Sequence, residues 1–306
     1  MKKIRKEIIS IILLSFLSVN AVCLAQESSV SESDIKVEKK SKKKKKKHKV
    51  KLPNIDLSHW KVTLPVANEK GKPYEIEPPE ILGFASIKMA QPYMYIDSTR
   101  GAIVFHAMPT NSKTRNTKYT RSELREQMEP GNNNVNWTFK DGANMKGELA
   151  MDASSRDDEG KYHRTIIMQI HGRLTNEQRD LIGEDDNNAP PILKIYWDKG
   201  KIRIKTKVLK DLNATYEELL HEDAWGNDDG FNFEQEVGFR KFTLEVKVSD
   251  GKMVVILNNN EFKVYENIHM KKWGIFENYF KAGNYFQSRD EGSFSKVRFY
   301  KLEVSH

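Results

Sequence analysis

The sequence has one cysteine, Cys23, and lacks the motifs of several large enzyme classes. Because we expect the segment that contains Cys23 to be removed from the mature protein, disulfide bonds and thiolate metal ligands are excluded. No Gly-x-Ser-x-Gly elbow, His-Glu-x-x-His motif or phosphate-binding loop occurs, which argues against the hydrolases, zinc proteases and nucleotide-dependent enzymes that these motifs mark. Stability must therefore come from an ordinary hydrophobic core, and a chain of 306 residues is long enough to bury one.

Residues 1–25 have the layout of a secretory signal peptide. The basic segment Met1–Lys6 precedes a short apolar run interrupted by serines, and Ala25 supplies a small residue at the predicted cleavage position. A membrane span would need about 20 predominantly apolar residues, so we expect none. Lipid attachment at Cys23 is an alternative, although Val22 is larger than the residue that normally precedes such a cysteine. The expected location is secreted or periplasmic.

The net charge of +8 is concentrated at the N-terminus. Residues 1–52 contain 15 Lys+Arg and 5 Asp+Glu, whereas residues 53–306 contain 36 and 38. Residues 26–52 include the run Lys42–Lys47, which repels itself and cannot form a core, so we predict a disordered linker. The alternative is electrostatic attachment to an acidic polysaccharide or an anionic surface. The basic charge does not belong to the folded part, and we expect no nucleic-acid partner.

Short apolar–polar alternations dominate residues 53–306 and predict one all-β domain, a sandwich or jelly roll. Helical patterns are confined to Glu177–Ile182 and Thr215–Leu220. We predict an edge strand that Pro65 ends, together with strands at Gly101–Ala107, Lys118–Met128, Gly147–Ala153, His163–His171, Ile192–Trp197, Lys201–Val208, Phe242–Val248, Met253–Leu257, Phe262–Tyr265, Tyr279–Gln287 and Ser295–Val304.

The stretch Tyr279–Gln287 combines an apolar face with an unusually polar one. In a strand, successive side chains point to opposite faces. One face then carries Phe280, Ala282, Asn284 and Phe286, and the other carries Tyr279, Lys281, Tyr285 and Gln287, with Gly283 leaving a gap. This pattern predicts one wall of a polar cleft.

A second strand places Arg121, Glu123 and Arg125 on one face. Arginine grips carboxylates in two-point fashion, so this face suits an anionic ligand. The alternative is an exposed salt-bridge ladder of little energetic value.

The third stretch, His163–His171, places Gln169 and His171 on one face. We expect His163, Thr165 and Ile167 on that same face, and the apolar residues Ile166, Met168 and Ile170 in the core. Imidazole titrates near neutral pH, which makes His171 a candidate general base. A purely structural histidine is the alternative.

Together the three strands offer cations, amides, a phenol and an imidazole. Such a set suits an anionic substrate that loses a proton from the carbon beside its carboxyl group. It lacks the close pair of carboxylates that glycoside hydrolysis uses.

The chain resembles the alginate lyases of polysaccharide lyase family seven. Three signatures of that family occur in the family's order: Arg-(Ser/Thr)-Glu-Leu-Arg at Arg121–Arg125, Gln-(Ile/Val)-His at Gln169–His171, and Tyr-Phe-Lys-Ala-Gly-x-Tyr-x-Gln at Tyr279–Gln287. Phe286 stands where the family commonly has Asn. The resemblance covers Leu52–His306 and implies a jelly roll with a concave substrate-binding sheet. It also implies β-elimination without a metal or other cofactor.

The resemblance also implies roles for particular residues. Arg121 and Gln169 would bind the uronate carboxylate, and Tyr285 would protonate the leaving O4. The base would be His171 for guluronate and Tyr285 for mannuronate. The residues expected to bind substrate or orient the arginines are Glu123, Arg125, Tyr279, Lys281 and Gln287.

Ile170, between Gln and His, favours guluronate-containing alginate in this family. We expect a monomer. Two alternatives remain open: a lyase for another polyuronate, and a non-catalytic module that binds an acidic polysaccharide.

Overall fold

Alternating apolar and polar residues organise most of the described chain into two β-sheets packed face to face. A computed structural model describes residues 50–112 and 117–306. These residues belong to one compact unit that spans His48–His306. The expected signal peptide and most of the expected linker lie outside the described residues. No helix in the described ranges is long and apolar enough to cross a membrane.

The described residues form 18 strands and three α-helices. The strands are β1 Asn54–Ile55, β2 Trp60–Ala67, β3 Pro73–Ile76, β4 Met94–Asp97, β5 Ala102–Ala107, β6 Arg121–Glu126, β7 Trp137–Thr138, β8 Ala143–Ser154, β9 Thr165–Arg173, β10 Leu193–Asp198, β11 Lys201–Leu209, β12 Trp225–Asn227, β13 Phe231–Glu236, β14 Phe242–Ser249, β15 Lys252–Leu257, β16 Glu261–Tyr265, β17 Glu277–Phe286 and β18 Ser295–Ser305. The helices are α1 Asn176–Ile182, α2 Tyr216–Leu220 and α3 Ile268–Trp273.

One sheet, which we call the outer sheet, has the order β16-β15-β14-β8-β18-β5-β4, with β1 paired to β18. The other, which we call the cleft sheet, has the order β12-β11-β10-β9-β17-β6-β2-β3, with β13 paired to β11 and β7 paired to β17. The strand pairs are antiparallel except for β1 with β18. The three strands that carry the sequence signatures, β6, β17 and β9, are therefore neighbours in the middle of the cleft sheet.

The apolar faces of the two sheets form one core. From β17, Phe280, Ala282 and Phe286 are fully buried, as the alternation predicts. Asn284 is the polar member of that face, and its amide nitrogen donates to the carbonyls of Phe105 and Ser295 at 3.0 and 2.8 Å. These bonds tie β17 to the outer sheet, since a buried amide must find hydrogen-bond partners.

The strand containing Pro65 differs from the expectation. Pro65 does not end it, because β2 continues to Ala67 and lies between β3 and β6 instead of at an edge. The pairing of β2 with β3 is irregular between Thr63 and Ala67, where a residue without a backbone N–H can be accommodated. Helix α3 and several short strands, including β3, β4 and β13, were also absent from the expected set.

Candidate active site

The three signature strands pair edge to edge, and their register places their polar side chains beside one another on one face of the cleft sheet. Tyr285 on β17 lies directly opposite Arg121 on β6, and Lys281 lies opposite Gln169 on β9. Tyr279 lies opposite His171. A cleft with a volume of about 550 Å³ opens over this face, and Arg121, Gln169, His171 and Tyr285 all line it. The convergence that three separate sequence patterns predicted is present in the fold.

Glu123 lies beneath the cleft and holds three of its functional groups. One carboxylate oxygen, Oε2, accepts hydrogen bonds from Arg121 Nη1 at 3.2 Å and Lys281 Nζ at 2.6 Å. The other, Oε1, accepts from Gln169 Nε2 at 2.5 Å. Glu123 is only 1% exposed, so two cations and one carboxylate share a buried site with a net positive charge. Buried ions need such pairing, and the excess charge is suited to one further carboxylate.

Tyr285 carries a phenol that stays protonated at neutral pH. Burial raises the pKa of Tyr285, and this effect outweighs the opposing influence of Arg121. The Arg121 guanidinium carbon lies 4.0 Å from the centre of the Tyr285 ring. Arg121 thus lowers the pKa of Tyr285 by less than burial raises it.

His171 is held neutral, with one ring nitrogen unprotonated. Its Nδ1 lies 2.9 Å from the carbonyl oxygen of Gly172. Because a carbonyl can only accept, Nδ1 carries the hydrogen and Nε2 keeps a lone pair. Burial, followed by the charge of Lys281, lowers the pKa of His171 to about 3. The half-buried ring is therefore neutral across the whole neutral pH range.

Tyr279 is packed between two functional side chains. Its ring is nearly parallel to that of His171, with ring centres 5.2 Å apart and an interplanar angle of 13°. The Arg125 guanidinium carbon lies 4.1 Å from the centre of the Tyr279 ring. Arg125 in turn donates to the backbone carbonyls of Glu126 and Asn133 at 2.7 and 3.0 Å. Both Tyr279 and Arg125 line the cleft. They also pack against each other, and Tyr279 packs against His171.

Two residues expected in the cleft lie elsewhere. Glu123, expected among the residues that bind substrate or orient the arginines, is under the cleft floor and pairs with Arg121 and Lys281, in line with the orienting role. Gln287 follows the end of β17, its amide donates to the carbonyl of Tyr285 at 3.2 Å, and it is not among the residues that line the cleft. The alternation that placed Gln287 beside Tyr285 fails where the strand ends.

The face assignment along β9 also needs a correction. The register of β9 against β10 shifts between the positions opposite Ile195 and Tyr196. A bulge of this kind puts the alternation on its two sides out of phase, so faces that hold for Gln169 and His171 do not carry over to the residues before it. Ile167 consequently packs in the core, and Thr165 is fully buried, with its hydroxyl donating to Ser295 at 3.0 Å. Gln169 and His171 lie beyond the bulge, so their predicted face is retained.

Three cations that line the cleft were not predicted from the sequence. Lys61 bonds Glu75 at 2.9 Å, Arg173 bonds Glu277 at 2.6 Å, and Lys194 lies directly opposite Gln169. Lys61 had a signal, because it stands between the apolar residues Trp60 and Val62, so a strand directs it away from the core. Arg173 and Lys194 had none until strand pairing was known. Six cationic side chains and three carboxylates then line the cleft: Lys61, Arg121, Arg125, Arg173, Lys194 and Lys281, with Glu75, Asp186 and Glu222.

The loop that follows the histidine strand contributes to the cleft wall. Helix α1 begins in a capping box formed by Thr175 and Gln178, and it ends at Gly183 in the left-handed conformation. After this turn, Asp186, Asn187 and Asn188 reach the cleft. This acidic loop therefore forms part of the cleft wall.

A β-sandwich with a cationic cleft on one sheet is suited to binding an acidic polymer. The alginate lyase family model matches residues 55–306, so the chain belongs to the alginate lyase family. An alginate lyase from Klebsiella pneumoniae is 24% identical over 283 residues, covering 82% of this chain and 89% of that protein.

The solved structures agree with this assignment. The crystal structure of alginate lyase A1-II′, a member of polysaccharide lyase family seven, is 31% identical. It superposes with a TM-score of 0.65 over 83% of this chain and 96% of that one. A complex of the same lyase with a GGMG substrate has a TM-score of 0.63 at 30% identity, over 83% of this chain and 94% of that one. The fold is thus the jelly-roll sandwich of that family, and the protein is a polysaccharide lyase acting on alginate.

Proposed function

We propose that this protein depolymerises alginate by β-elimination, with Arg121, Gln169, His171 and Tyr285 as its catalytic residues. The observation that carries the proposal is the meeting of a neutral imidazole, a protonated phenol and a net-positive buried cluster in one cleft. In the reaction, the C5–H bond breaks and its proton passes to the base. The electron pair forms the C4=C5 double bond, the C4–O4 bond breaks, and O4 takes a proton from the acid.

The Glu123 cluster would stabilise the developing negative charge. Arg121 and Lys281 are oriented by Glu123 at 3.2 and 2.6 Å, and the cluster carries one unneutralised positive charge. The amide nitrogen of Gln169 has a second hydrogen beyond the one given to Glu123. A uronate carboxylate bound there would be held by groups already in place, which is how preorganised donors stabilise an enolate-like transition state.

His171 would be the base for guluronate. Its Nε2 lone pair is available because Nδ1 donates to the Gly172 carbonyl. The low pKa of His171 reflects burial and the charges of Lys281 and Arg121. A bound carboxylate offsets those charges, so substrate binding raises the pKa of His171 and strengthens the base at the moment of reaction.

Tyr285 would be the acid, and its protonation state favours guluronate over mannuronate. For mannuronate the C5 hydrogen lies on the other face of the sugar, and Tyr285 would have to be the base. Burial raises the pKa of Tyr285, which opposes a phenolate in that role. A relative that is 30% identical was crystallised with a GGG product, in line with this preference. Digestion of purified mannuronate, guluronate and alternating blocks, with product sizing, tests it, and faster cleavage of mannuronate blocks would contradict it.

The assignment of the acid predicts the effect of Tyr285→Phe. This variant loses only a hydroxyl, so we expect kcat to fall by about 10²- to 10⁴-fold while the unfolding midpoint stays unchanged. Activity is followed by the ultraviolet absorbance of the unsaturated product end. Tyr119→Phe is the matched control, because the Tyr119 ring lies edge-on to that of Tyr285 at 6.4 Å and lies outside the cleft lining. Retained activity in Tyr285→Phe would refute the assignment, and flat absorbance from the wild type with every block type would favour a binding module.

We also propose that the chain is exported, with residues 1–25 removed and residues 26–52 acting as a linker. Support comes from the sequence pattern alone. N-terminal sequencing and mass measurement of the protein from the medium or periplasm test this. Gln26 as the first residue is expected. A lipid mass on Cys23 would indicate the anchored alternative, and an intact Met1 would contradict export.

A further inference from the structure

A single row of directly opposed residues crosses six strands of the cleft sheet. The row consists of Lys61, Arg125, Lys281, Gln169, Lys194 and Lys205. Directly opposed residues of antiparallel strands share a face, and neighbouring strands lie about 4.8 Å apart. The row therefore runs roughly 24 Å perpendicular to the strands. Gln169 and Lys281 lie in its middle, and Lys194 and Lys205 extend it beyond Gln169.

Several cations along this surface have a carboxylate partner, and Arg125 donates to two backbone carbonyls and the Asn136 amide instead. Lys61 has Glu75 at 2.9 Å, and Lys281 shares Glu123 at 2.6 Å. Arg173, beside the row, has Glu277 at 2.6 Å. These pairs neutralise much of the charge before any ligand arrives.

The far end of the row is different, because three lysines meet without an ion pair. Lys194 lies directly opposite Lys205, and Lys207 is two residues further along β11. Within the described ranges, none of the three has an ion pair or a side-chain hydrogen bond. Like charges that face each other across a strand pair are destabilising.

Burial increases the cost of this arrangement. Lys207 is only 8% exposed, and lysine is rarely buried without a partner. Burial, and then the charge of Lys207, lowers the pKa of Lys194 to about 8. The charge of Glu222 opposes the lowering of the pKa of Lys194 and of Lys207. One exposed carboxylate cannot, however, neutralise three ammonium groups.

We propose that Lys194, Lys205 and Lys207 form a remote subsite, which binds a uronate carboxylate of the alginate chain beyond the sugars at the cleaved bond. The inference rests on the proposed function, because it takes the acidic polysaccharide as the ligand. Lys194 lines the same cleft as Gln169 and is one strand spacing, about 5 Å, away from it. A chain bound at the reacting groups therefore reaches this subsite only if it extends at least one sugar further in that direction. The subsite makes affinity depend on chain length.

The test measures the binding of alginate oligomers from disaccharide to octasaccharide by calorimetry. Tyr285→Phe serves as the background, so that oligomers are not consumed. Lys194→Gln and Lys205→Gln are compared with Lys247→Gln, which removes the same charge from an exposed position on the outer sheet. For the longer oligomers we expect Kd to rise about tenfold in Lys194→Gln, the effect of losing one charge-assisted hydrogen bond. The shortest oligomers should lose much less.

A stability measurement separates this role from a structural one. Removing one of three repelling lysines should leave the unfolding midpoint of Lys205→Gln unchanged or higher, whereas a structural lysine would lower it. Equal losses at all oligomer lengths, or losses no larger than in Lys247→Gln, would overturn the subsite. A wild-type protein that produces no unsaturated ends would instead refute the proposed function, and the binding comparison would still report on the lysines.

Discussion

Tyr279 shows how a cleft residue can act through a neighbour. Its ring lies between the Arg125 guanidinium, 4.1 Å away, and the His171 ring, 5.2 Å away. The near-parallel contact limits how the imidazole can tilt, and the Nδ1 hydrogen bond to the Gly172 carbonyl sets its tautomer. Two interactions thus fix the direction of the Nε2 lone pair. We infer that Tyr279 is a positioning residue for the base as well as part of the cleft wall.

This role predicts different effects for two substitutions. Tyr279→Phe retains the flat ring and should keep most of kcat. Tyr279→Leu removes the flat surface, and we expect kcat to fall by about tenfold or more, because misplacing a catalytic group by 1 Å can cost about 10²-fold. KM should change less than kcat in both variants. Steady-state kinetics on guluronate blocks separate the two parameters, and an equal loss in Phe and Leu variants would point to a direct sugar contact of the hydroxyl.

At the scale of elements, the central strand β17 depends on a glycine where it pairs with Glu123 of β6. Gly283 has φ of +139°, a conformation that other residues rarely adopt. A Cβ there would lie 2.8 Å from the Ser122 carbonyl oxygen and 2.9 Å from the Glu123 Cα. The glycine therefore lets β17 lie against the strand that holds the buried carboxylate.

Gly283→Ala should be strongly destabilising. Steric overlap and backbone strain together predict a loss of about 2–4 kcal/mol in the free energy of unfolding. Gly292→Ala is a matched control, because Gly292 also has positive φ, +72°, but no atom within 4 Å of the added Cβ. Its loss should be about 1–2 kcal/mol, the backbone cost alone. Chemical denaturation measures both, and similar losses would show that crowding at Gly283 is unimportant.

The same strand shows how far sequence patterns reach. Alternation along β17 correctly assigned the buried face, including Asn284, because side-chain direction is a local property of a strand. Alternation failed at Ile167 on β9, where a bulge shifts it, and at Gln287, where β17 ends. Lys194 could not be assigned from its own stretch, since its place beside Gln169 depends on the pairing of β10 with β9. Local patterns therefore predicted which side chains of the three signature strands line the cleft, and they missed the cations that only strand pairing places beside them.

At the scale of the whole molecule, charge is distributed unevenly. Residues 53–306 contain 36 Lys+Arg and 38 Asp+Glu, yet six cations and three carboxylates line the cleft. The near-neutral domain thus concentrates positive charge where a polyanion binds. Such a cleft attracts its substrate over a distance that salt shortens. The run Lys42–Lys47 is a second concentration of positive charge, so the two contributions must be separated by experiment.

Salt should therefore raise KM for polymeric alginate and leave kcat nearly unchanged. Increasing the ionic strength from about 0.01 M to about 0.1 M shortens the Debye length from about 30 Å to about 10 Å, while interactions between buried groups are screened much less. Initial rates at several salt concentrations give both parameters, and we expect a several-fold rise in KM. Replacing Lys42–Lys47 by glutamine in the full chain should preserve this rise if the cleft is its source. A KM that no longer responds to salt in that variant would assign the attraction to the lysine run. A kcat that falls as the salt concentration rises would show that salt screens the reacting groups themselves.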